Sequence, residues 1–194
     1  MGIFFSDLKR AFISPAFASA FLIHAAVLIK EGQGELYVCL VPLLCTLPYS
    51  TAWLDEYKSG SFRMTLVRTG LVRYSLSKFL SCVLSGGAAE ALAAVAASLF
   101  GVPLPGAAVF FSGALWAAVS AVMSALCDSK YIAYGSPFVF FWFIVIVRER
   151  FSSALPDPAS WISPSPDVAA YLASATAALG VVYVFILIRR IRRA

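Results

Sequence analysis

Charge, histidine and paired cysteines are what this sequence has least of: 13% of its 194 residues are charged, one is histidine and four are cysteine. Each scarcity removes a class of function. A lone imidazole, His24, denies most acid–base designs their usual base, and the chain contains no G-x-x-x-x-G-K-[ST], H-E-x-x-H or nucleophile-elbow pattern. The reading is therefore of a non-enzyme. Cys39, Cys45, Cys82 and Cys127 all fall in apolar runs without a C-x-x-C pair, so they read as small buried hydrophobes rather than metal ligands or a disulfide framework. So little polar material cannot cover a water-soluble globule, and a disordered chain needs far more of it.

What is abundant is hydrocarbon, 61% of the residues, with a mean hydropathy of +0.86. This composition belongs in a bilayer. The net charge of +5 would suggest nucleic acid in a soluble protein; here its distribution along the chain matters more. A helix needs about 20 mostly apolar residues to cross the hydrocarbon core. Six runs approach that length, at about 12–29, 36–54, 74–100, 107–127, 131–147 and 168–188. Lys30 and Glu31 end the first, Asp55 and Glu56 the second, and the turn from Gly101 to Gly106, with its two prolines, the third. Asp128, Ser129 and Lys130 make a polar corner before the fifth, which Arg148, Glu149 and Arg150 close.

Cytoplasmic loops near span ends keep an excess of Lys and Arg. With the N-terminus inside, twelve basic residues lie in the cytoplasm and only Lys30, Arg148 and Arg150 outside. The expectation is an all-α integral membrane protein of the cell membrane: one transmembrane domain over 1–194, six spans, both termini inside. The first run is read as a span rather than a cleaved signal segment, because Ser14 and Pro15 sit early in it and no small-residue cleavage site stands out before Lys30.

Residues 1–14 place Phe4, Leu8 and Phe12 on one helical face, with Ser6, Asp7, Lys9 and Arg10 elsewhere around it. This predicts an amphipathic helix in the inner interface, bent at Ser14–Pro15 from the first span. Residues 148–167 form an extracytoplasmic loop rich in Pro and Ser, with Trp161 at the interface or capping an exit. Glu90 is the one carboxylate well inside a span, where it must face protein or water. Its two readings are a gating or cation-binding group and a structural hydrogen-bond acceptor. Around it, small residues from Ser85 to Ala97, and Gly113 and Ala117 on the fourth span, point to a tight packed unit of spans three and four. His24 reads as a packed polar residue.

The most informative stretch joins spans two and three. An acidic pair, Asp55 and Glu56, is followed by Gly60, Arg63, Leu66, Arg68 and, further on, Lys78, forming a polar cytoplasmic element over 55–70. In this it resembles the permease subunits of ABC type-2 exporters, where an acidic residue, a glycine about four positions later and a leucine-rich basic stretch ending in lysine join the same two spans. The opening from Asp7 to Pro15 resembles the family's amphipathic N-terminal helix.

The resemblance implies a membrane half without an ATPase of its own. ATP and magnesium would be bound by a partner ATPase subunit, pressed on a coupling helix to which Asp55, Glu56, Gly60, Arg63 and Arg68 belong. It also implies a second permease half, identical or related. It further places Pro42, Tyr49, Phe138, Phe141 and Trp142, on spans two and five, along a cavity for an amphipathic or hydrophobic cargo such as a drug, peptide or lipid-like compound. A different reading is the substrate-binding membrane component of a vitamin or metal importer, which has a similar span count and uses small-residue helical faces. A lipid-modifying membrane enzyme would show clustered Asp or His near the interface, and no such cluster is evident in the sequence.

Overall fold

The computed structural model describes residues 2–32, 34–103, 106–151, 158–162 and 166–193. Among them there are nine α-helices, one short 3₁₀ turn and no strand: α1 (Gly2–Phe12), α2 (Pro15–Glu31), α3 (Glu35–Leu44), α4 (Ala52–Ser59), α5 (Phe62–Thr69), α6 (Leu71–Ser98), α7 (Ala108–Leu126), α8 (Lys130–Phe151), the 3₁₀ turn Pro158–Ile162, and α9 (Pro166–Arg193). Parts of two expected features, the centre of the 101–106 turn and much of the 148–167 loop, lie outside the described residues.

Four helices, α6 to α9, are long and apolar enough to cross a membrane, and a fifth span results if α1 and α2 count as one bent unit. The bend is 51°. Ser14 makes it: its Oγ accepts from the Phe17 N–H at 3.1 Å and donates to the Ala11 carbonyl at 2.8 Å, while Pro15 opens α2 at a position where its missing N–H costs nothing. The expected interfacial helix is therefore a separate element, but its inward face differs from the expectation. Asp7 and Ala11 are the buried residues of α1, and Phe5 is 61% exposed.

The second apolar run, 36–54, is not one helix of spanning length. It is α3, which carries Pro42 and ends at Leu44, then a series of turns over 45–51, then α4. Proline at 42 cannot donate to the helical ladder and Pro48 follows six residues on, so a continuous helix is broken here. In α8 the same problem is solved by a neighbour. Pro137 leaves the Ala133 carbonyl without its helical donor, and Ser120 on α7 donates to that oxygen at 2.6 Å, with Ser136 at 3.2 Å.

The centre of the bundle is the α6–α7 pair. A Cβ added at Gly86 would lie 2.5 Å from the Ala117 Cβ, one at Gly87 would lie 2.6 Å from the Phe110 carbonyl oxygen, and one at Gly113 would lie 2.9 Å from the Gly86 carbonyl oxygen. Only hydrogen fits at these three places, which lets the two backbones touch and gain dispersion contact that lipid tails cannot match. Helices α2 and α9 pack on this pair, and α8 packs on α7.

Candidate functional site

Two polar clusters are buried in this apolar bundle. The first lies where α1, α4 and α6 meet. Lys78 sits seven residues into α6, about 10 Å along its axis, and is 3% exposed. All three of its ammonium donors are used: to Asp7 Oδ1 at 2.7 Å, to Glu56 Oε1 at 2.6 Å and to the Tyr49 hydroxyl at 3.1 Å. The carboxylates are equally well served. Tyr49 donates to Asp7 Oδ1 at 2.7 Å, Ser77 to Asp7 Oδ2 at 2.8 Å and Tyr74 to Glu56 Oε2 at 2.6 Å. Arg10 approaches Glu56 at 3.6 Å from the solvent side. The rings of Tyr49 and Tyr74 flank the ammonium, each centroid 5.5 Å away.

Around this cluster, α4 is tied to the other long helices. Asp55 pairs with Lys130 at the start of α8. The Arg190 guanidinium of α9 lies 4.8 Å from the centroid of the Tyr57 ring, donates to the Ala125 carbonyl at the end of α7 and pairs with Asp128. Thr51 shares a hydrogen bond of 3.0 Å with Tyr134 of α8. One eight-residue helix thus holds polar contacts to α1, α6, α8 and α9, all at one end of the bundle. Its apolar side is closed by Trp53, packed against Tyr57, Phe62 and Tyr74.

Gly60 ends α4 at φ 72°, a left-handed conformation that suits glycine, and Gly70 ends α5 at φ 77°. Between them α5 turns outward. Met64 is 78% and Val67 89% exposed, Arg68 is exposed beside them, and Arg63 lies over the Phe62 ring. Of the five expected coupling residues, then, Gly60 shapes the bend and Arg63 and Arg68 lie on its outer surface. Asp55 and Glu56 are instead engaged with the bundle.

The second cluster lies deep among α2, α3, α6 and α7. Glu90 is fully buried; Tyr37 donates to its Oε1 at 3.2 Å, and the Cys45 thiol lies 3.7 Å from its Oε2. His24 Nε2 is 4.0 Å from the same sulfur, and its ring meets Tyr37 edge-on at 5.9 Å. His24 Nδ1 is buried without a partner among the described residues. Glu90 faces protein, as an intramembrane acid must, and Cys45 is a polar neighbour rather than an inert hydrophobe. No group of three or more His, Cys, Asp or Glu among the described residues could hold a metal ion.

Three of the five expected cavity residues meet along α8: Phe138 and Phe141 each contact the Trp142 ring, with centroids 6.4 and 5.7 Å apart. Pro42 is buried within α3, Tyr49 belongs to the Lys78 cluster, Phe141 packs on Trp116, Phe138 is half-buried and Trp142 is 43% exposed. An apolar cavity of about 280 Å³ does exist, but between α7, α8 and α9, and none of the five lines it.

The sequence reading singled out Glu56 and counted Lys78 within a basic series, yet missed that Asp7, Tyr49, Tyr74 and Ser77 join them. A lysine four residues inside the apolar run 74–100 was the available signal, since such a charge requires a counter-ion from another element. The long apolar helices and the internally paired charges are those of a helical membrane protein. No protein-family model, no curated protein and no solved structure matches the chain.

Proposed function

We propose that this chain is the membrane-spanning permease half of an ATP-driven exporter of an amphipathic or hydrophobic compound, powered by a separate ATPase subunit. In this reading it crosses the cell membrane six times with both termini in the cytoplasm, the broken 36–54 stretch serving as the second crossing, and it works with a second permease half. The observation that carries it is the arrangement of α4 and α5: an exposed helix with basic and apolar side chains, joined through Gly60 to a helix that is ion-paired to α6 and α8. A force applied to α5 would reach α1 and the three long helices α6, α8 and α9 through contacts that are already made, which is what a coupling element requires.

Within this proposal the roles divide. Arg63, Met64, Val67 and Arg68 offer the surface for the ATPase, while Asp55 and Glu56 hold the lever to the bundle. The small-residue faces that would favour an importer component are spent here on each other: Gly86, Gly87, Gly113 and Ala117 all lie in the α6–α7 contact. Copurification of the tagged chain from its own membranes should bring down an ATP-hydrolysing companion. Val67→Asp should abolish that association while leaving membrane insertion and thermal stability unchanged. Retention of the companion by the variant, or no ATPase in the wild-type preparation, would remove the proposal.

A further inference from the structure

Helices α8 and α9 both pack on α7, yet they scarcely touch each other. The space between them is the 280 Å³ cavity, with Leu115 and Val119 of α7 as its floor, Phe140 and Ile144 as one wall, and Tyr171 and Ala175 as the other. Its outer end is closed by Trp161 of the 3₁₀ turn, which stacks on Trp116 with ring centroids 5.4 Å apart and planes at 29°. Phe140 and Tyr171 line the cavity and are also exposed on the outside of the bundle, 43% and 44% respectively, so the space opens sideways. Among the described residues no charged side chain lines it.

We infer that this cavity binds one acyl chain of a bilayer lipid, entering between α8 and α9 and ending beneath the Trp116–Trp161 stack. The inference stands apart from the transport reading. An opening between two lipid-facing helices is filled by hydrocarbon or by another protein. An α-helix with its side chains is about 10–12 Å across, so a single turn of one would overfill this space. The tryptophan roof also blocks an element running the length of the bundle. A single alkyl chain is narrow enough, asks for no hydrogen bond, and supplies the dispersion contacts that an empty apolar space lacks. Ligand pockets generally run from about 300 Å³ upward, which places this one at the size of a tail rather than a whole amphiphile.

The test uses the full chain with Trp53→Phe and Trp142→Phe, leaving Trp116 and Trp161 as the fluorophores. It is reconstituted in vesicles of phosphatidylcholine carrying bromine at the middle of one acyl chain, and in the same vesicles without bromine. Bromine quenches tryptophan on contact, so the brominated vesicles should remove more than half of the emission. Adding Val119→Phe and Ala175→Leu, which fill the cavity, should restore most of it with the helical circular dichroism unchanged. Ala175→Leu alone gives the same comparison should the fuller variant not fold. Equal quenching in open and filled chains would place the bromine outside the cavity and overturn the inference. Absence of quenching in the open chain would do so as well, and a protein crosslink captured at Phe140 in that case would identify a second subunit as the occupant.

Discussion

The two buried polar clusters solve one problem in opposite ways. At the end of the bundle, Lys78 stands between Asp7 and Glu56, and every carboxylate oxygen of the pair has a donor. In the middle, Glu90 has no cation among its contacts; it meets a phenol at 3.2 Å and a thiol at 3.7 Å. The end cluster joins three separate helices through opposite charges, so removing one member strands another in an apolar surrounding. The middle cluster holds a single acid among uncharged groups, so its loss strands only hydrogen-bond donors. Charges of opposite sign make a tie between helices, whereas one acid among neutral donors makes a packing point.

This contrast is broken most severely at Lys78. Lys78→Met leaves Asp7 buried without its cation and Glu56, partly exposed, with Arg10 at 3.6 Å as its remaining cation, a loss of ~3–5 kcal/mol by the behaviour of broken buried pairs. Thermal unfolding in detergent should fall sharply, and Lys78→Arg should recover part of the loss; equal melting of Met and wild-type chains would show that the cluster is not a tie. A smaller effect is expected at Gly113, where an added Cβ would lie 2.7 Å from Glu90 Oε2 and 3.1 Å from Cys45 Sγ. Gly113→Ala should therefore displace the Glu90 contacts and cost ~1–3 kcal/mol of overpacking in the same melt.

Glu90 itself sharpens the comparison. Glu90→Ala leaves the Tyr37 hydroxyl without its acceptor, at ~1–3 kcal/mol, whereas Glu90→Gln keeps an acceptor of the same shape and should melt within about 1 kcal/mol of wild type. In an assay of the proposed export, full activity of the Gln variant would exclude a need for a carboxylate. The smallest effect is expected at Asp55, about half exposed and paired with an equally exposed Lys130. Asp55→Ala should cost ~0–1 kcal/mol, with the difference vanishing at high salt.

How far the sequence was legible follows from the range of each interaction. Runs of apolar residues marked four long helices, and the Ser14–Pro15 step marked the 51° bend, because span length and capping are local properties. The small residues around Gly86 and Gly113 announced a close helix pair for the same reason: a missing side chain is visible without its neighbour. The 36–54 run was misjudged as one continuous helix because hydropathy counts Pro42 and Pro48 as neutral while the backbone hydrogen-bond ladder does not. An aromatic residue on a helix does not reveal which neighbour it will meet, so the packing of Phe141 on Trp116 and the hydrogen bond from Tyr49 to Asp7 were not legible.

By itself, then, the chain settled its solvent and its helical content, since both follow from how much hydrocarbon must be kept from water and how far a helix reaches. Only the tertiary structure decided that Asp7 turns inward to Lys78, that Glu56 bonds both Lys78 and Tyr74, and that α8 and α9 part to leave a cavity. Those outcomes depend on groups tens of residues apart finding one another's charge and shape, and no single stretch of sequence carries both halves of such a contact.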